Sequence, residues 1–174
     1  MNLYHALQKL RSFNRQTPSL NGAVMQKKTH IWIDAICINQ YNLDEQIAPV
    51  AMMENIYKGA QLVICWLGKE DRYTGPALHL INHLARIPKE QYNLHRSLGS
   101  ARPGTSQKDW EALVAFFRRP YFRRAWIVQE LILAPCVIVF CGSYEISWKA
   151  HLQCSLYLKK QKHTDILMFF PLNL

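Results

Sequence analysis

Three short apolar runs constrain what this chain can fold into: residues 31–36 (IWIDAI), 61–67 (QLVICWL) and 136–141 (CVIVFC). Each is rich in β-branched or aromatic residues and too short for a helix, so each reads as a strand buried on both faces. Amphipathic stretches lie before and between them. Leu3, Leu7 and Leu10 share one face and predict a helix over 2–13. Asn42, with Glu45 three residues later, opens a second helix over 42–60, which Pro49 kinks or starts later. Pro76 stands in the first turn of a third, over 76–87. Ser106 caps a fourth, which carries Trp110, Leu113, Val114 and Phe117 on one face and stops at Pro120. A further helical stretch runs from about 124 to 134. Strands alternating with such helices predict an α/β fold, with three parallel strands in one sheet and helices packed on it. Tyr144–Trp148 reads as a short fourth strand or a turn. Past residue 149 the pattern weakens, and KAHLQCSLYLKKQKH reads as one helix before an apolar tail.

At 174 residues the chain has room for one domain with a real core. Its apolar runs fall far short of a membrane span, and its first residues lack a signal peptide's apolar block. The expectation is a cytoplasmic protein with no membrane partner. The net charge of +9 is scattered in pairs, with no basic helix bearing interleaved aromatics, so no nucleic-acid partner is expected. Five cysteines form no CxxC pair, which argues against structural zinc and for buried, reduced thiols. His79 and His83 share a helix face but lack a third ligand, so no metal site is expected.

Two stretches carry candidate chemistry. Asp34 interrupts the first apolar run. A buried, unpaired carboxylate is costly, so it belongs where the strand ends, either lining a ligand crevice or tying down the next loop through backbone N–H groups. In WIVQE (126–130), Trp126 and Glu130 are four apart and share one face of a helix. Glu130 either presents its carboxylate at the edge of the sheet or is an ordinary surface glutamate. The RRPYFRR cluster, 118–124, reads as a phosphate contact or as a solvated loop around Pro120. No P-loop or GxGxxG spacing occurs.

Together, IWIDAICINQ (31–40), MMENIYKGAQLVICWLG (52–68), FFRRPYFRRAWIVQELILA (116–134) and the CG at 141–142 strongly resemble the fungal heterokaryon-incompatibility (HET) domain. NLYHALQKLR (2–11) resembles the helix ahead of that family's WIDAICINQ stretch. The resemblance implies a HET domain over 1–149, with 150–174 a poorly defined C-terminal tail. It implies a distantly TIR-like, flavodoxin-like parallel sheet flanked by helices. The opening Tyr-x-x-Leu-Ser-Tyr-x-Trp-Gly type motif is not matched, which implies a truncated copy with the first strand missing. Gln46 and Pro49 also depart from the usual arginine and glutamine. The implied function is non-self recognition and programmed cell death, with NAD as the substrate of a cleavage reaction. A non-catalytic interaction module and an inactive remnant are the alternatives. The implied site residues are Glu130 as the catalytic carboxylate, Asp34 orienting, and Trp126 and Arg124 binding substrate. The implied partners are further copies of the chain or other incompatibility proteins.

Overall fold

The computed structural model describes residues 3–16, 30–39, 41, 53–92, 105–124 and 131–163. Its sheet has three strands in the order β1 (Val63–Trp66), β2 (Val137–Cys141), β3 (Tyr144–Ile146). β1 and β2 are parallel, with Val63 opposite Val137 and Trp66 opposite Phe140. β2 and β3 are antiparallel, with Cys141 opposite Tyr144. The sheet is therefore mixed. The 144–146 segment resolves as a strand because Gly142 and Ser143 form a two-residue hairpin. Gly142 stands at φ +57°, and Ser143 does not share its positive φ. That places glycine at the first central position, as a primed hairpin turn requires.

Side chains along β1 and β2 alternate between two apolar layers, following the period of two in extended backbone. Val63, Cys65, Val139 and Cys141 face the main core. Trp66, Ile138 and Phe140 face the other side, where Ala6 of α1 (Leu3–Gln16) packs against them. Lys9 of α1 lays its ammonium 4.7 Å from the Phe140 ring centroid and donates to the Ser143 carbonyl at 3.4 Å. The predicted first helix thus covers one face of the sheet.

Among the described residues, four helices line the main core, with the helical Leu131 beside them. α3 comprises residues 53–59, with Met53 and Tyr57 inward; residues 42–52 of the expected helix lie outside the described residues. α4 (Thr74–Ala85) packs against both α5 (Gln107–Phe117) and α6 (Trp148–Lys160). Ser106 caps α5 as expected: its hydroxyl accepts from the Asp109 N–H while the Asp109 carboxylate accepts from the Ser106 N–H at 2.8 Å. The 148–160 helix is fully built into this core through Cys154, Tyr157 and Leu158.

The expected strand at 31–36 does not form. Ile33 is extended (φ −138°, ψ 118°), and the chain then turns into the short helix α2 (Asp34–Cys37). The cause is Asp34. Its carboxylate accepts from the Ala35 N–H at 2.7 Å, a local bond that competes with a strand ladder and suits a helix's first turn. Ile31 and Ile36 are more than half exposed, while Trp32 and Ile38 hold the segment to the core, Trp32 edge-on to Tyr57 at 6.1 Å. Cys65, Cys141 and Cys154 are buried thiols as expected, but Cys37 is exposed on α2.

Candidate functional site

The RRPYFRR segment is anchored through its aromatic residues, while Arg118, Pro120 and Arg123 face solvent. Phe117, Tyr121 and Phe122 are buried in the main core. They fix a 3-10 turn over Pro120–Arg123, with an arginine at each end. Arg119, ahead of the turn, donates to the Lys69 carbonyl at 2.8 Å, to Asp71 at 2.6 Å and to Thr74 Oγ1 at 3.0 Å. Arg124, behind it, donates to Asp34 Oδ2 at 3.0 Å. A planar guanidinium suits the first role, since it satisfies several acceptors at fixed angles.

Asp34 therefore has a third reading besides bare loop-tying or crevice-lining: it binds its own loop and also accepts from Arg124. Both side chains are about 30% exposed (29% for Arg124, 32% for Asp34), so water reaches the pair. Of the four sequence-predicted site residues, the structure brings together Asp34 and Arg124. Trp126 and Glu130 lie outside the described residues.

Sequence reasoning missed the second half of the arrangement, at the carboxyl ends of β1 and β2. There the loop 67–73 and the β2–β3 hairpin meet, joined by the Gly142 N–H donating to the Gly68 carbonyl at 2.8 Å. Glu70 accepts from both the N–H and the hydroxyl of Ser143. Those two bonds hold its carboxyl below the usual carboxylate range, the hydroxyl bond contributing most. Asp71 accepts from the Tyr73 N–H at 2.9 Å and from the Thr74 hydroxyl at 3.0 Å, which sets the start of α4. Thr74 is fully buried and its hydroxyl lies 3.8 Å from the Cys141 sulfur. Burial pushes the Cys141 thiol up, against the pull of Arg119, which favours its protonated form. The signal that marks this network in the sequence is KED directly after a strand that ends at glycine, with an arginine before Pro120. Nothing in linear spacing joins the two.

Among the described residues no group of His, Cys, Asp and Glu is placed to hold a metal ion, and His79 and His83 are exposed on α4. No described helix is long and apolar enough to cross a membrane.

The features above define a mixed α/β domain. Its parallel strand pair ends at a network of Glu70, Asp71, Thr74, Arg119 and Ser143, and a separate pair joins Asp34 to Arg124 behind the 120–123 turn. Residues 2–130 match the heterokaryon incompatibility protein (HET) family, and the chain belongs to it. It is similar to heterokaryon incompatibility protein 6, OR allele, of Neurospora crassa, at 26% identity over 68% of this chain and 21% of that protein. The chain thus spans about a fifth of the length of that relative. No solved structure gives a significant match.

Proposed function

We infer that this domain serves fungal heterokaryon incompatibility as an effector of cell death, and that it acts by cleaving NAD. The observation that supports this most is the Asp34–Arg124 contact at 3.0 Å, within a family member. It joins two family motifs, IWIDAICINQ and FFRRPYFRR, six residues ahead of Glu130 in the sequence. In this reading the sheet is the TIR-like, flavodoxin-like one that the resemblance implies. The β1–β2 pair is two of its parallel strands. The chemistry needs few groups. Nicotinamide is a good leaving group, so the bond from C1′ of the ribose to the nicotinamide nitrogen breaks through an oxocarbenium-like transition state. Water adds to C1′ and gives up a proton to solvent, leaving ADP-ribose. One carboxylate that binds the ribose hydroxyls and faces the developing charge supplies the main stabilisation. Glu130 is that carboxylate. Asp34, already neutralised by Arg124, orients the segment around it.

The test is nicotinamide release from NAD by the 174-residue chain and by a chimera carrying the family's first strand ahead of it. The chimera is expected to release nicotinamide, and Glu130→Ala to lower the rate by about 10²–10³, the usual cost of losing a group that stabilises developing charge. Equal rates for the two remove Glu130 from catalysis. No release by either protein favours a second reading, a module that works by association. Tyr4 and Leu7, exposed one turn apart on α1 (63% and 39%), support that alternative. Under it, Leu7→Asp shifts the chain to a smaller species in sedimentation.

A further inference from the structure

His151, in the first turns of α6, is 1% exposed. Trp148 and Phe122 stack on its ring at 6.1 and 6.3 Å, with interplanar angles of 19° and 18°. Phe116 and Phe117 of α5 approach at 5.6 and 5.9 Å. Neither ring nitrogen has a hydrogen-bond partner among the described residues. A neutral imidazole carries one donor and one acceptor, and leaving both unmet is already unfavourable. Charging it is worse. Attraction between an imidazolium and the surrounding rings recovers only part of the hydration that the cation loses.

The groups facing His151 do not offset this. From α5 they are Phe116 and Phe117, and from the 120–123 turn Phe122. From α6 they are Trp148 and the Ser147 backbone. Two cations lie against rings of this region, Arg119 over Phe116 (5.5 Å) and Arg124 over Tyr121 (6.0 Å), and they are held by Asp71 and Asp34. No carboxylate among the described residues acts on the imidazole. Burial pushes His151 down to about 4, with a small opposing pull from the Ser147 backbone.

We propose that His151 makes the seating of the first turns of α6 dependent on pH: the neutral ring fits its aromatic cage and the protonated ring does not, so acid loosens that end of the helix, where it meets α5 and the 120–123 turn, while the rest of α6 stays packed on α4 and β2. The direction follows from linkage. The folded state binds its proton less readily than the unfolded one. The stabilisation is therefore complete above the unfolded value of about 6.5 and declines as pH falls towards about 4.

Hydrogen exchange on the 174-residue chain, from about pH 7.5 down to about pH 4, tests the proposal. Between about pH 6.5 and pH 4, the first turns of α6 are expected to lose protection by up to roughly tenfold per pH unit beyond the intrinsic pH dependence, while β1 and β2 keep theirs. His151→Phe is expected to abolish the dependence. An equal acid loss in that variant, or simultaneous loss in the strands, overturns the proposal. His151→Leu serves if the phenylalanine variant does not fold. Imidazole titration by NMR needs no variant: a wild-type His151 that titrates near its ordinary value with that end of α6 still seated also overturns it.

Discussion

Gly142 shows how one side chain, or the lack of one, sets a whole corner. A Cβ there would stand 2.6 Å from the Glu70 Oε2 and 2.7 Å from the Glu70 backbone N, at a φ of +57° that L-residues rarely adopt. Gly142→Ala is expected to destabilise the protein by about 2 kcal/mol or more, read as a lower denaturation midpoint with unchanged slope. Truncating Glu70 as well should not restore the loss, because the backbone N remains in place. A double variant as stable as Glu70→Ala alone would show that only the flexible carboxylate is displaced. The CG pair was visible in the sequence as a family mark, but its cause was not. The reason lies in a loop more than 70 residues earlier, which no local pattern encodes.

Among the elements, those whose period is set by burial were legible. α4, α5, β1 and β2 follow their apolar spacing because each presents one stripe or both faces to the apolar layers, whereas α1 forms where expected but leaves Leu7 of its predicted stripe exposed and packs on the sheet through Ala6. The 31–36 run failed for an equally physical reason. One aspartate bonding the next N–H starts a helical turn, and the isoleucines of the run do not override it. Caps are short-range and so can be read directly. At the front of α5, Ser106→Ala is expected to cost about 1 kcal/mol in equilibrium unfolding. The Ser106 backbone and side chain hold the Asp109 carboxyl below the usual range. Its contribution is therefore present at neutral pH and lost as pH falls through the folded-state value. Asp109→Asn should flatten that acid limb of the stability profile, and Ser106→Ala only part of it because the backbone N–H bond remains; an unchanged limb in Asp109→Asn would assign it to other carboxylates.

For the molecule as a whole, the tie between Arg119 and Asp71 spans 48 residues and joins the end of α5 to the exit of β1. The arginine side chain is 11% exposed and the aspartate 50%, so solvent screens one partner only. A double-mutant cycle with Arg119→Ala and Asp71→Ala is expected to show a coupling of about 1 kcal/mol, and Arg119→Lys to retain little of it, since an ammonium cannot serve the Lys69, Asp71 and Thr74 acceptors together. Strict additivity would show that the contact is a bystander. This network, like the Asp34–Arg124 pair, was out of reach of sequence reasoning because charges were visible but their partners were not. Its geometry carries an evolutionary consequence. A four-residue turn that anchors two loops is a point of pleiotropy, for a change that retunes one loop disturbs the other. Alleles of such a domain have little freedom there. Divergence between them is expected to accumulate where a side chain faces solvent, as at Asn82 and His83 on the outer face of α4 and at Lys108 on that of α5.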